Sequence, residues 1–181
     1  MYKRQDIEDL KYFIHQRMKV FLRDQSLRHD LIDACVSLDK GDDLALLVKK
    51  SFALRDFIKT SDGSNLIQGF KRANNILLQA EQSDGVEYSY GADPTYAEED
   101  AERNLFDALD NEEVKIIRSL EKEDFVDAMN SMANLRMPID NFFETVQINS
   151  GVDIIRRNRL NLLSRICKLC LSVADLTKIE G

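Results

Sequence analysis

Apolar residues recur every three or four positions along most of the chain, which is the spacing of one face of an α-helix. The clearest stripe lies between residues 151 and 179, at Ile155, Leu162, Leu163, Ile166, Leu169, Cys170 and Val173. Arg157, Lys168 and Asp175 project to the opposite side of that helix. Arg159 projects within the apolar stripe, about 40° from Ile155. Because an unpaired charge is costly to bury, we expect Arg159 either to pair with a buried carboxylate or to contact a ligand.

The same periodicity predicts helices along the rest of the chain, over 6–24, 28–34, 43–59, 65–79, 98–120, 123–135 and 138–145. In the first helix, the residues expected to face the core include Leu10, Phe13, Ile14, Met18, Phe21 and Leu22. Breaks are expected at 40–42, 61–64 and 149–151, and a mobile loop over about 82–96. Pro138 cannot continue the helix before it, so it suits the first turn of a new helix. Since no β-hairpin signal stands out, the prediction is a single all-α domain over 1–181, a bundle of about seven helices.

Composition agrees with a helical bundle, since the 181 residues include only 7 glycines and 2 prolines. The net charge of −7 argues against non-specific binding of nucleic acid. The charge is uneven, however: acids dominate residues 84–127, whereas the two ends of the chain are comparatively basic. Local basic patches are therefore expected on an acidic protein.

No motif for catalysis stands out: the sequence lacks a glycine-rich phosphate loop, an HExxH pair and a nucleophile elbow. Cys167 and Cys170 form a C-x-x-C pair without a second pair, and a zinc site needs about four ligands. Both are expected to be small core residues in a reducing compartment. His29 is expected to be a surface or capping residue. We therefore expect no active site, metal or cofactor in this region.

Two further absences bear on location. The first residues, MYKRQDIEDLKYF, lack the apolar stretch of a secretory signal. No apolar run approaches the roughly 20 residues that a membrane span needs. The expectation is a cytoplasmic protein that does not enter a membrane.

Three groups of basic residues are candidates for binding a ligand. The first comprises Arg17, Lys19, Arg23 and Arg28; the second comprises Lys71 and Arg72 with Asn74 and Asn75; the third comprises Arg156, Arg157 and Arg159, with Arg165 and Lys168 further along. Each group could be an ordinary solvated helix face. Arginine and asparagine together nevertheless supply the donors and acceptors that RNA phosphates and unstacked bases require. The adjacent Phe142 and Phe143 are expected to pack inside, against the last helix.

Four stretches resemble the C-terminal region of the β subunits of bacterial glycyl-tRNA synthetases: 28–34, 71–76, 138–143 and 158–176. The resemblance runs in order over nearly the whole chain. That region is similar to the helical anticodon-binding domain of class I arginyl-tRNA synthetases, which is named for an Asp-Ala-Leu-Arg motif. Asp153-Ile154-Ile155-Arg156 stands at the motif and departs from it at the two middle positions, where apolar residues preserve the packing.

The resemblance implies that this chain is the C-terminal part of a longer subunit, which serves an enzyme that joins glycine to its tRNA with ATP. The active site would lie on a separate α subunit in an α2β2-like assembly, and this part would need no cofactor. The domain would hold glycine-accepting tRNA at its anticodon end. Residues on the matched motifs are Arg72, Asn75, Arg156 and Arg159. Arg159 is alternatively structural, bonded to Asp140 or Asp175.

Two functions therefore stay open. The domain either binds tRNA or docks as a helical module on the rest of its own subunit or on the α subunit. One continuous basic face would favour RNA, whereas scattered arginines beside an exposed apolar patch would favour docking.

Overall fold

The computed structural model describes residues 2–37 and 43–180, so the break predicted at 40–42 lies outside the described residues. Within those ranges the chain forms no β-strand, and the all-α prediction is confirmed. The eight α-helices are α1 (Tyr2–Asp24), α2 (His29–Val36), α3 (Leu44–Ile58), α4 (Ser61–Asp84), α5 (Asp100–Glu121), α6 (Phe125–Ala133), α7 (Arg136–Thr145) and α8 (Asp153–Val173). Two single 3₁₀ turns follow α4 and α8, at Pro94–Tyr96 and Leu176–Lys178.

Helices α4 and α8 lie side by side at the centre of the bundle. Helix α5 packs on α6 and α7, and α3 packs on α6. The core is filled from several helices by fully buried side chains such as Phe70, Leu105, Met129 and Phe142. Every residue of the apolar stripe predicted for α8 is buried, so that prediction is confirmed.

Helix α1 departs from the prediction that its apolar stripe faces the core. Leu22 packs with Leu27 and Ile32 in a small separate cluster on α2. Leu10, Phe13, Val20 and Phe21 are instead exposed. The periodicity of α1 is real, but the stripe is too wide for one helical neighbour to cover. The expectation that Leu10, Phe13 and Phe21 face the core was wrong.

The junction between α3 and α4 also differs from the prediction, which placed a break at 61–64. Thr60 is the N-cap of α4, and its hydroxyl accepts a hydrogen bond from the Gly63 amide at 3.0 Å. The same hydroxyl donates to the Phe57 carbonyl at the end of α3, at 2.7 Å. Gly63 therefore belongs to the first turn of α4, where its lack of a side chain lets the helix approach the Phe57 carbonyl closely.

The last helix is shorter than the predicted stretch over 151–179. Ala174 is extended, and Asp175 caps the following 3₁₀ turn by accepting from the Thr177 amide. The Asp175 amide donates to the Ala34 carbonyl on α2 at 2.9 Å. Helix α8 ends there because the chain turns to pack against α2.

Candidate functional site

One exposed face of α4 carries four polar side chains at helical spacing. Gln68, Arg72, Asn75 and Gln79 are all exposed, and their separations of four, three and four residues place them in one row. We call this row the α4 amide face. Arg72 and Asn75 were predicted candidates; Lys71 is half-buried and points about 100° away from Arg72. Sequence reasoning missed Gln68 and Gln79, although their spacing from Arg72 was visible.

A groove separates α4 from α7 and from the segment that follows α7. It consists of two adjoining depressions, of about 480 and 490 Å³, which share Arg72 and Phe143. The Arg72 guanidinium lies over the Phe143 ring, with its carbon 4.5 Å from the ring centroid. This cation–π contact holds the plane of the Arg72 guanidinium in place and leaves its N–H groups open to a ligand. Polar residues lining the groove include Asn65, Gln68, Gln79, Ser83, Gln147 and Asn149.

Phe142 and Phe143 are both buried, as predicted, with their rings in edge contact at 5.6 Å. Helix α7 packs chiefly on α4 and α5, however, and not on the last helix. The ring of Phe143 therefore serves the groove as the support for Arg72.

Arg156 closes one end of the groove. Its guanidinium donates to the Asp84 carboxylate at 2.7 Å, to the Tyr88 hydroxyl at 3.2 Å and to the Asn149 side chain at 3.3 Å. Hydrogen bonds from Tyr88 and then from Arg156 hold the pKa of the Asp84 carboxyl below its ordinary value. Arg156 thus fastens the end of α4 to α8, with part of its charge already balanced.

Arg157, the next residue, is exposed on the other side of α8. Its guanidinium carbon lies 6.0 Å from the centre of the Tyr90 ring, on the segment that joins α4 to α5. No ion pair joins Arg157 to a carboxylate within 2–37 and 43–180. Sequence reasoning predicted Arg157 as a candidate but found no exposed aromatic residue to accompany it.

Arg159 is buried and structural. Its guanidinium makes a two-bond ion pair with the Glu102 carboxylate, both bonds at 2.9 Å, and donates to the Gln147 carbonyl at 3.0 Å. A longer contact at 3.3 Å reaches Glu98. The predicted partners were wrong: Asp140 pairs with Arg136, and Asp175 caps the last 3₁₀ turn. With its side chain only 5% exposed, Arg159 is not presented to a ligand at the surface.

Glu102 has two further partners, because its second oxygen accepts from the amides of Glu98 and Glu99 at the start of α5. Burial raises the pKa of the Glu102 carboxyl, but the bonds from Arg159 and from these backbone amides outweigh burial and hold it below its ordinary value of 4.5. The pair therefore stays charged at neutral pH and joins α8, α5 and the chain after α7.

The first predicted basic group lies elsewhere, on α1 and at the start of α2. Arg17 and Arg23 are exposed on α1, and Lys19 pairs with Asp33 at 2.6 Å. Arg28 binds the buried Asp30 carboxylate and donates to the Glu180 carbonyl at 3.0 Å. Arg28 thus binds the end of the chain to the start of α2. Helix α1 packs chiefly on α2. The structure does not join this group to the groove.

The sequence comparison decides the family. Residues 66–180 match the DALR anticodon binding domain, a range that includes the α4 amide face, Arg157 and all of the groove except Asn65. The chain belongs to the DALR anticodon-binding domain family. In this DALR domain, the residues at the family's motif begin α8: Asp153 is its first residue, and Arg156 makes the bonds to Asp84 and Tyr88.

Three relatives of this chain share one name. Glycine–tRNA ligase β subunits are 62% identical over 174 residues in Dinoroseobacter shibae, 59% over 180 in a Ruegeria species and 44% over 174 in Rhodospirillum centenum. These alignments cover 96%, 99% and 96% of this chain. The chain spans only about a quarter of the length of each relative, at 24%, 26% and 24%.

A cavity of about 660 Å³ lies between α3 and α6, away from the candidate residues. Its lining is mainly apolar and includes Phe52, Phe57, Val126 and Met129. We place the candidate site at the groove instead, because arginine and amide groups converge there.

Cys167 and Cys170 are buried in the DALR domain, as predicted. Burial raises the pKa of the Cys167 thiol to about 12, so it stays protonated at neutral pH. Neither cysteine belongs to a group of three or more potential metal ligands in the described part of the chain. Over that same part, no helix combines the length and the apolar character required to cross a lipid bilayer.

Proposed function

We propose that this DALR domain binds tRNA at the anticodon end, as part of a glycine–tRNA ligase β subunit that supports attachment of glycine to its tRNA. The observation that carries the proposal is the family match over 66–180, which contains every residue lining the groove except Asn65. The relatives named above are β subunits of that ligase. In this proposal ATP and the glycine-activating site belong to other parts of the enzyme, which acts in the cytoplasm.

The chemistry of the groove supports RNA as the ligand. Arg72 offers a planar donor fork that suits phosphate, and it is paired with no carboxylate among the side chains described. Gln68 and Gln79 in the groove each donate and accept, as does Asn75 beside them on the α4 amide face, which suits the exposed edges of unpaired bases. The net charge of −7 disfavours non-specific binding of nucleic acid, so the affinity has to come from local groups such as Arg72.

Arg72→Ala is expected to weaken binding of a glycine-accepting tRNA about tenfold, which corresponds to about 1.4 kcal/mol, because one charge-assisted contact is lost. The slope of log affinity against log salt should fall by about one, as expected when a single phosphate contact is removed. Binding is measured by fluorescence anisotropy at several salt concentrations. Arg118→Ala is the matched control, since it removes the same charge from an exposed position outside the groove.

Two results would contradict the proposal. One is tRNA binding by the wild-type domain that does not depend on salt. The other is an equal loss of affinity in Arg72→Ala and Arg118→Ala, which would show that only net charge matters. A non-cognate tRNA, titrated in parallel, measures how much of the affinity is specific.

We also propose a second role, in which α1 docks this domain onto another part of the same subunit within an assembly with the α subunit. The observation in its favour is the exposed apolar face of α1, formed by Leu10, Phe13, Val20 and Phe21. Exposed apolar patches of this kind mark contact surfaces. The relatives are about four times as long as this chain, so the proposed partner surface would lie in their additional length.

The double substitution Phe13→Ser with Phe21→Ser is expected to release the domain and to increase the radius of gyration of the complete β subunit in X-ray scattering. Tyr12→Ser is the control, because Tyr12 is exposed but lies about 130° from the centre of the apolar face. A radius of gyration that does not change in the double variant rules out docking of α1 on the same subunit. If the double variant then fails to co-sediment with the α subunit, that subunit covers the face instead.

A further inference from the structure

Tyr90 is unusually exposed for an aromatic residue. Its side chain is 85% accessible, the highest value for any large apolar side chain among the residues described, whereas Tyr88 two positions earlier is 5% accessible. It lies between α4, which ends at the left-handed Gly85 with a φ of 66°, and the 3₁₀ turn at Pro94–Tyr96. An exposed aromatic ring does not contribute the stabilisation of the folded state that its burial would give, so its exposure invites a functional explanation.

The segment that carries Tyr90 is fastened on both sides of it. On the N-terminal side, the Tyr88 amide donates to Glu81 at 3.0 Å, and its hydroxyl donates to Asp84. On the C-terminal side, the side chain of Asn158 on α8 binds both the amide and the carbonyl of Asp93, at 2.8 and 3.0 Å. These bonds give Tyr90 a defined position beside α8. The mobility of the wider loop over 82–96 stays a prediction.

Arg157 accompanies the ring. Its guanidinium lies 6.0 Å from the ring centroid of Tyr90 and is exposed, so a flat cation and a flat aromatic group stand together at the surface. Lys168 lies on the same side of α8, and its amino group reaches the Ser89 carbonyl at 3.4 Å. Arg156, one residue before Arg157, lines the groove, so this pair lies beside the candidate site at the start of α8.

We infer that Tyr90 and Arg157 form a stacking site for one unpaired nucleobase of the bound tRNA; this rests on the proposed function and names a contact within it. Aromatic rings and arginine planes are the groups on which proteins stack splayed-out RNA bases. Glu87 and Asp93 carry carboxylates three residues before and three residues after Tyr90 in the chain, which disfavours a cluster of phosphates on this segment. A base, which is uncharged, can occupy the ring face while its phosphate lies towards Arg157.

Tyr90→Ala weakens binding of glycine-accepting tRNA about tenfold in this inference, with an unchanged salt slope, because it removes stacking but no phosphate contact. Tyr90→Phe keeps the ring and retains wild-type affinity. Tyr96→Ala, on the same segment and 41% exposed, is the matched control and leaves binding unchanged. Since the chain contains no tryptophan, Tyr90→Trp adds a single reporter whose fluorescence is quenched when a base stacks on it.

The outcomes separate this inference from the proposed function. One outcome is that tRNA binding depends on salt but Tyr90→Ala binds as tightly as the wild type. This outcome overturns the stacking site and leaves the proposed function intact. Full affinity in Tyr90→Leu also overturns it, because an aliphatic side chain cannot stack. Absence of tRNA binding in the wild-type domain overturns the proposed function and the stacking site together.

Discussion

Replacing Glu102 by glutamine is expected to lower the free energy of unfolding by about 3–5 kcal/mol, the cost of removing one partner from a buried ion pair. The Arg159 guanidinium would keep its bond to the Gln147 carbonyl but would lose the charge that balances it. Urea unfolding of the wild-type and variant domains at neutral pH measures the difference. Asp62→Asn is the control, because its ion pair with Arg136 is exposed and is expected to contribute less than about 1 kcal/mol.

A double substitution shows whether the loss comes from the unpaired charge. Glu102→Leu with Arg159→Met removes both charges, and replacing a buried pair by apolar residues of similar size is often neutral. We therefore expect the double variant to be more stable than Glu102→Gln. A double variant less stable than either single one would contradict this account and assign the loss to packing.

The pH dependence gives an independent check. The pKa of Glu102 is lowered on folding, so its contribution is present above the unfolded pKa near 4.5 and is lost as the pH falls through the folded pKa. Wild-type stability should therefore fall below about pH 4.5 more steeply than that of Glu102→Gln. Asp30 behaves in the same way: burial raises its pKa, but bonds from Arg28 and backbone amides lower it overall, so some acid sensitivity remains in the variant.

Gly63→Ala is expected to lower the free energy of unfolding by about 3 kcal/mol, at the upper end of the usual cost of overpacking. A Cβ atom at Gly63 would lie 2.1 Å from the Phe57 carbonyl oxygen and 2.8 Å from its carbon. Both are backbone atoms at the end of α3, so α3 and α4 would have to separate. Chemical unfolding measures the loss.

Gly69→Ala is the matched control within the same helix. Its Cβ would meet only the Cγ2 methyl of Ile139, at 3.0 Å, and a side chain can move by a few tenths of an ångström. Alanine also favours the helix by about 1 kcal/mol over glycine, so the net change should be small. An equally large loss at both positions would show that the tight helix junction is not the cause.

The helical pattern and the unusual position of Arg159 could be predicted from the sequence, because both follow from spacing along one helix. It could not name Glu102 as the partner of Arg159, since that pairing depends on how α5 crosses α8. Likewise, Gly63 looked like a break because glycine commonly ends helices, whereas here it allows two helices to approach.

The groove was partly visible in the sequence. Arg72 could be selected by residue type, and Gln68 and Gln79 by their spacing from Arg72. Asn75, also selected by residue type, lies beside the groove on the α4 amide face. The exposure of Tyr90 could not be predicted, because turn-forming residues indicate a loop without showing which of its side chains face water. The exposed face of α1 was also hidden, since periodicity shows that a stripe exists and not whether a neighbour covers it.

The contacts between α2 and the end of the chain bear on the order in which the molecule folds. The buried Asp30 carboxylate accepts from the Glu180 amide, 150 residues away, and the Ala34 carbonyl accepts from the Asp175 amide. Such distant contacts form late, because a long stretch of chain must be ordered before its ends meet. Until residue 180 has been added, the Asp30 carboxylate has only local partners, the Arg28 guanidinium and the Leu31 amide. The bonds between α2 and the end of the chain are therefore expected to form late, after α2 has already packed on α3.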